Sequence, residues 1–367
     1  MCIRDSHTTC DTKTGEYLDW LKAKSPRDYE IVKMQGERKA KEDRASAADK
    51  DTSGPPQVYP SDVNPEYHQS AWIADRTIDL INEADPDRPF FALCSFVDPH
   101  HPFDPPAPYS TMYDPDKLAP PVCQEGELDD KPPHFRRHRT GRGFSNEKYD
   151  YRRLSAHDWG EVKAAYYGMV SLVDYNVGRI LDALRQKGIL DDTLILFTSD
   201  HGELMGDHGL LFKGPFLYDC LIKAPMVVQW PGVVPKGARY AQLTEHVDIM
   251  PTILDYAGIR VPYGVQGMSM GPILRGDSGA GRAFALTEFN CYDWGLNIKT
   301  ITSRDYKLTY YAGERFGELY DRNADPDEFV NHWDDPDYAD VKAELLKQLT
   351  DRIIETEDTL PIRIGKY

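Results

Sequence analysis

Residues 159–202 read WGEVKAAYYGMVSLVDYNVGRILDALRQKGILDDTLILFTSDHG, and the alternation in this stretch decides the fold class. Val162, Tyr166, Met169, Val173, Val177, Ile180, Leu181 and Leu184 recur mostly at steps of three and four, which predicts one long amphipathic helix. Gly188 stands where a glycine closes such a helix, and Asp191-Asp192 makes the next turn. The short apolar run TLILFT at 193–198 is predicted to be a buried strand. Helix, tight loop, strand and a polar tip at the strand's carboxyl end make half of a doubly wound α/β unit. In such sheets the functional crevice lies beyond those carboxyl ends.

The alternation continues outward. PFFALCSFV at 89–97 is a nearly continuous apolar run, predicted to be a strand buried on both faces of a parallel sheet. It runs into DPHHPFDPPAP at 98–108, whose prolines exclude regular structure. APMVVQW at 224–230 and VDIMPTILDYA at 247–257 repeat strand and helix, and residues 67–84 carry a helical stripe around Trp72, Ile73, Ile78, Leu80 and Ile81. Residues 1–64 form a polar segment, partial or irregular, in which 16–24 is a short helix with Leu18 and Leu21 inward and the charged stretch 33–50 is a solvated loop or exposed helix. Residues 124–157, rich in Arg and His, read as an excursion over the surface. An α/β domain is therefore expected over 65–280. Beyond it, 283–289, 297–303 and 306–311 are short strands of a small antiparallel sheet, and 338–355 is an amphipathic helix, which together make a C-terminal part at 281–367.

Composition narrows the function. Lys plus Arg is 43 against 60 for Asp plus Glu, a formal charge of −17, which argues against nonspecific nucleic-acid binding. A local cation cluster still permits a small anionic substrate. No apolar run approaches the ~18 residues of a membrane span. The six cysteines, at 2, 10, 94, 123, 220 and 291, contain no C-x-x-C pair and read as scattered thiols. The opening MCIRDS has no structural logic, and the residues after it read as the interior of a longer chain.

The chemistry concentrates at strand ends. Ser199-Asp200-His201-Gly202 puts a carboxylate and an imidazole side by side after 193–198, a pair suited to a divalent metal, with Gly202 permitting a sharp turn. Lys213 comes a dozen residues later among Gly206, Gly209 and Gly214, as a cation on a flexible loop suited to a tetrahedral oxyanion. His208 is a candidate proton donor or second oxyanion contact. Asp98-Pro99-His100-His101-Pro102 ends the 89–97 run. A strand cannot point two adjacent histidines the same way; His100 is the preferred candidate for protonating a leaving alkoxide or binding an ester oxygen, with His101 structural or at the rim. Asp200, His201, Lys213 and His100 are expected to converge at one mouth. RRHRTGR at 136–142 reads as solvated arginine, and His246-Val247-Asp248 as a helix cap.

These residues carry a resemblance. FALCSFVDPHHPFDPPAPYSTMYDPDKLAP at 91–120, the span 167–232, HVDIMPTIL at 246–254 and GELYDRNADPDE at 317–328 occur in the order found in sulfatases of the alkaline phosphatase superfamily, over roughly residues 65–355. The resemblance implies a large mixed sheet flanked by helices, with a smaller C-terminal antiparallel sheet packed by a helix. It implies metal ligation by Asp200 and His201, usually of calcium and sometimes of magnesium or manganese. It makes Lys213 the sulfate-binding lysine and His100 the histidine near the leaving-group oxygen. The implied substrate is a small anionic aryl, alkyl or carbohydrate sulfate ester. A phosphonate monoester or phosphodiester hydrolase on the same scaffold is the alternative, and a noncatalytic binding homologue a third reading. The chain departs from the pattern in two respects: none of its cysteines or serines begins the C-x-P-S-R or S-x-P-S-R run whose first residue becomes formylglycine, and the Asp-Asp pair of the family's first strand is missing. The expectation is a sulfatase truncated at its N-terminal side, inactive as this chain alone.

Overall fold

The computed structural model describes residues 15–47, 54–141, 149–291 and 295–357. In chain order its elements are α1 (Glu16–Lys24), α2 (Pro26–Ala47), α3 (Gln69–Glu83), α4 (Pro133–Arg139), α5 (Ala156–Lys187), β1 (Ile195–Thr198), α6 (Asp219–Ile222), β2 (Met226–Gln229), α7 (Ile249–Tyr256), α8 (Gly271–Leu274), β3 (Ala285–Cys291), β4 (Leu296–Thr302), β5 (Tyr306–Tyr311), β6 (Gly317–Asp321) and α9 (Ala339–Thr356). They fall into two compact units, one of residues 1–121, 137–193 and 205–211, the other of 122–136, 194–204 and 212–367.

The first unit is built on α5. Ser155 caps its N-terminus reciprocally with Asp158, and Gly188 closes it at φ 76°. Val162, Met169, Val173 and Leu184 of the expected stripe are buried. Helix α5 also anchors α3: Lys187 Nζ donates to the carbonyls of Ile81, Asn82 and Ala84 at 2.6, 3.1 and 2.7 Å, satisfying acceptors that the end of α3 leaves open. Tyr17, Leu21, Val32, Val63 and Trp72 bury together, so α1 and α2 share a core with α3. Gly160 and Gly168 admit a close crossing of another segment, since an added Cβ would lie 2.4 Å from the Pro115 carbonyl and 2.5 Å from that of Tyr109.

Residues 89–97 depart from the expectation. They join no ladder among the described residues, and Phe91 and Leu93 are 47% and 59% exposed. An apolar run becomes a buried strand only where neighbours hydrogen-bond to both its edges.

In the second unit β1 and β2 pair antiparallel, with Phe197 opposite Val227. Both side chains are exposed, at 42% and 60%, where buried strands were expected. A four-stranded antiparallel sheet runs in the order β3-β4-β5-β6, and its last strand, GELYD, carries no obvious strand pattern in the sequence. Helix α9 covers this sheet: Ile301, Leu308 and Leu319 pack with Trp333, Leu345 and Leu349.

The stretch 124–157 is also corrected. Its described residues do not simply run over the surface, because Leu128, Lys131, His134, Phe135, His138, Tyr149 and Tyr151 are all buried. Three of its buried polar side chains meet carbonyls: Lys131 Nζ donates to Phe329 O at 2.7 Å, and ring nitrogens of His134 and His138 meet Pro215 O and Leu211 O, each at 3.1 Å. Of the 136–142 cluster, Arg142 lies outside the described residues, and Arg136 donates to the carbonyls of Leu128 and Asp129 at 2.9 and 2.7 Å. No helix among the described residues is long and apolar enough to cross a membrane.

Candidate active site

Strand β1 ends at Thr198 and delivers Ser199-Asp200-His201-Gly202 at its carboxyl end, as the sequence predicts. The Asp200 carboxylate is 84% exposed, and its Oδ1 accepts from the His201 amide at 2.9 Å. His201 Nδ1 lies 2.7 Å from the Gly202 carbonyl. A carbonyl only accepts, so Nδ1 carries the proton. In the neutral ring Nε2 is then the free lone pair, the state that a metal ligand needs. Nε2 sits 3.5 Å from Asp200 Oδ2. Two donors at right angles about one cation, each about 2.4 Å from it, would stand about 3.4 Å apart. The pair therefore fits two adjacent corners of a hard-cation site. It supplies two of the roughly six to eight donors that such an ion takes, and no third His, Cys, Asp or Glu joins it among the described residues.

Gly202 is needed for a reason other than the expected sharp turn, since it is not among the left-handed glycines. Its amide donates to Leu221 O at 2.7 Å, and an added Cβ would lie 1.8 Å from Cys220 O. The glycine lets the strand tip rest directly on another stretch of backbone.

The loop bearing Lys213 is likewise not the loose glycine loop expected. Leu204 N donates to Phe212 O at 3.2 Å and Gly206 N to Leu210 O at 2.9 Å, while Leu204, Leu210, Leu211 and Phe212 are buried. Met205, Gly206, His208, Gly209 and Phe212 all hold positive φ, which curls the chain tightly. Lys213 comes next and is half-buried. His208 is buried at 4% exposure.

His100 is exposed, in a turn closed by its amide on Val97 O at 3.1 Å. Its Nδ1 is 2.6 Å from the His101 carbonyl and so carries a proton. The rings of His100 and His101 stack, 4.2 Å between centroids and 26° between planes. Strand alternation does not separate the two, because they occupy a turn and not a strand. Asp200, His201 and Lys213 belong to the second unit, and His100 and His208 to the first. His246-Val247-Asp248 is a cap, as expected: Asp248 Oδ2 accepts from the Glu245 amide at 2.7 Å.

Sequence reasoning missed a buried charge cluster in the second unit, formed by Lys131, Lys307, Glu318 and Glu328, with half-buried Asp219 at its edge. The only sequence signal was GELYDRNADPDE at 317–328, a family pattern that by itself gives its carboxylates no role.

Known proteins resemble this chain in sequence and fold. A family model described as "Sulfatase" matches residues 14–259, and one described as "N-sulphoglucosamine sulphohydrolase, C-terminal" matches residues 206–355. An arylsulfatase of Clostridium perfringens is 31% identical over 293 residues, 78% of this chain and 58% of that protein. A multifunctional alkaline phosphatase superfamily protein, PehA, of Trinickia caryophylli is 30% identical over 323 residues, 82% of this chain and 62% of that protein. The crystal structure of a phosphonate monoester hydrolase of Agrobacterium radiobacter superposes with a TM-score of 0.75 at 29% identity, covering 93% of this chain and 69% of that one. The chain thus spans about three fifths of the two curated relatives.

Proposed function

Because this chain belongs to the sulfatase family and has its α/β, alkaline-phosphatase-like fold, we propose that it carries part of the machinery that hydrolyses a sulfuric ester. The observation that carries the proposal is the Asp200–His201 pair, two solvent-facing donors 3.5 Å apart at a strand's carboxyl end. In this reading the two side chains hold a divalent cation, calcium in first place with magnesium or manganese as alternatives. Such an ion supplies positive charge to ester oxygens. Lys213 binds the sulfate as a mobile point charge. His100 Nε2 contacts the leaving-group oxygen and, as imidazolium, gives it a proton. His208 is the second oxyanion contact or proton donor, reached only from within its buried loop. The substrate is a small anionic aryl, alkyl or carbohydrate sulfate ester.

Formylglycine does not fit the residues of this chain, because no C-x-P-S-R or S-x-P-S-R run occurs in it. This chain by itself therefore has no nucleophile of that kind and is expected to be inactive. A second reading, phosphonate monoester or phosphodiester hydrolysis, is favoured by the likeness to the Agrobacterium hydrolase over 93% of the chain. The cation, lysine and histidine logic serves both tetrahedral esters.

The test has two arms. The chain as given, assayed with an aryl sulfate and calcium, should show no turnover, and clear turnover would defeat the inactivity proposal. A longer protein carrying this chain together with the formylglycine motif should cleave the aryl sulfate faster than an aryl phosphodiester. The reverse ratio selects the second reading. In that protein Lys213→Ala should lower kcat/KM by about 100-fold or more, the scale of losing one oxyanion contact.

A further inference from the structure

The buried charge cluster of the second unit lies against the same stretch of backbone on which the Asp200–His201 tip rests. Gly202 N–H donates to Leu221 O, and Cys220 O lies where a Gly202 Cβ would be. Residues 217–222 carry no long helix that would hold them: α6 has four residues and no side-chain cap. They are held by side chains from far along the sequence. Lys307 Nζ donates to Leu217 O at 2.8 Å and to Asp219 Oδ1 at 3.1 Å. Arg322 donates to Asp219 Oδ2 at 2.6 Å. Glu328 Oε2 accepts from the Asp219 amide at 2.8 Å, while its Oε1 pairs with Lys307. Glu328 itself holds the left-handed φ of 61°, and Lys131 donates to its carbonyl at 3.3 Å and to that of Phe329 at 2.7 Å. Lys307 is fully buried and Glu328 is 2% exposed.

Burying a full lysine charge and a full carboxylate is costly unless each is paired and hydrogen-bonded, and an apolar pair would serve simple stability as well or better. Here Lys307 and Glu328 each bond the backbone of this turn, at Leu217 O and the Asp219 amide. Lys307 and Arg322 both hold the Asp219 carboxylate, and Arg322 also donates to Ser303 O at 2.7 Å. We infer that Lys307, Glu328 and Arg322 are positioning residues: they clamp 217–222, and through the Gly202–Leu221 bond they set where Asp200 and His201 stand. The metal half of this inference rests on the proposed role of Asp200 and His201 as ligands.

Amide exchange and metal titration on the full chain test it. Glu328→Gln keeps the size of the side chain and removes its charge. It should speed exchange at the Gly202 and Ile222 amides by about tenfold or more, while amides of the β3–β4 ladder stay within about threefold of wild type. Asp219→Asn, a milder change, should do the same to a smaller extent and serves if the first variant does not fold. Both should weaken Mn2+ binding, read by water-proton relaxation, by about threefold or more, and Asp200→Asn by about tenfold or more. A role in general stability alone would raise exchange evenly over Gly202 and the ladder, and that result overturns the clamp. So does unchanged exchange at Gly202 in both variants, even where Asp200→Asn weakens Mn2+. Unchanged Mn2+ affinity in Asp200→Asn overturns the ligand reading and the metal half of the inference, while the exchange data still decide the clamp.

Discussion

Replacing Gly202 by alanine probes the contact on which the candidate site stands. The added Cβ would lie 1.8 Å from Cys220 O, 2.9 Å from Cys220 C and 3.2 Å from Leu221 Cα, all backbone atoms that cannot swing aside. Relief requires the 199–202 tip to lift from residues 220–221. Overpacking of this kind costs about 1–3 kcal/mol. Lifting also lengthens or breaks the 2.7 Å bond from Gly202 N–H to Leu221 O, for about a further 0.5–1.5 kcal/mol. The sum is about 1.5–4.5 kcal/mol, which in a unit of this size lowers the melting temperature by roughly 3–18 °C. Urea unfolding followed by tryptophan fluorescence measures the first figure and a thermal scan the second. A variant within about 0.5 kcal/mol of wild type, the range of ordinary surface changes, would refute the claim that Gly202 is required by close backbone approach.

Gly160→Ala and Gly168→Ala, whose Cβ atoms would meet the Pro115 and Tyr109 carbonyls at 2.4 and 2.5 Å, should each cost about 1–3 kcal/mol in urea unfolding. Gly178→Ala in the same helix meets nothing within 4 Å and should instead stabilise by about 0.5–1 kcal/mol. Burial holds the His138 imidazole below its ordinary 6.5, against the opposing bond to Leu211 O. The unfolded chain then takes up that proton more readily, so stability is fully present above 6.5 and falls as pH drops below it. His138→Gln should flatten this part of a stability profile run from about pH 5 to 8. Calcium should bind this chain no tighter than about millimolar, the weak end for a site with few ligands, and a chelator should leave its melting temperature unchanged. Micromolar affinity by calorimetry would show that further donors join Asp200 and His201.

Much of the architecture was legible locally. Helix α5 begins at a Ser155–Asp158 capping box and ends at Gly188, one turn earlier and at the same glycine as its apolar stripe predicts. Strands β4 and β5 and helix α9 lie within a residue or two of the expected runs. Several of the readings that failed concerned burial. Phe91 and Leu93 are exposed although their run is apolar, whereas Lys131, His134 and His138 are buried although theirs is polar. At the site the adjacency of Asp200 and His201 after a strand was legible. The His201 ring orientation, set by Gly202 O, and the stacking of His100 on His101 were not, because each depends on backbone torsions that residue identity does not specify.

Helices, caps and strand-end motifs can be read from the sequence alone because they depend on residues within about four positions of one another. The family is legible for a related reason: its motifs are short runs in a fixed order. Which charges go inside is a different kind of question. Lys307 meets Asp219 across 88 residues and Lys131 meets Phe329 across 198, and a lysine can leave water only where such partners already wait. Only the tertiary structure decides that, because desolvation is set by the groups gathered around a side chain in space, whatever their separation along the chain.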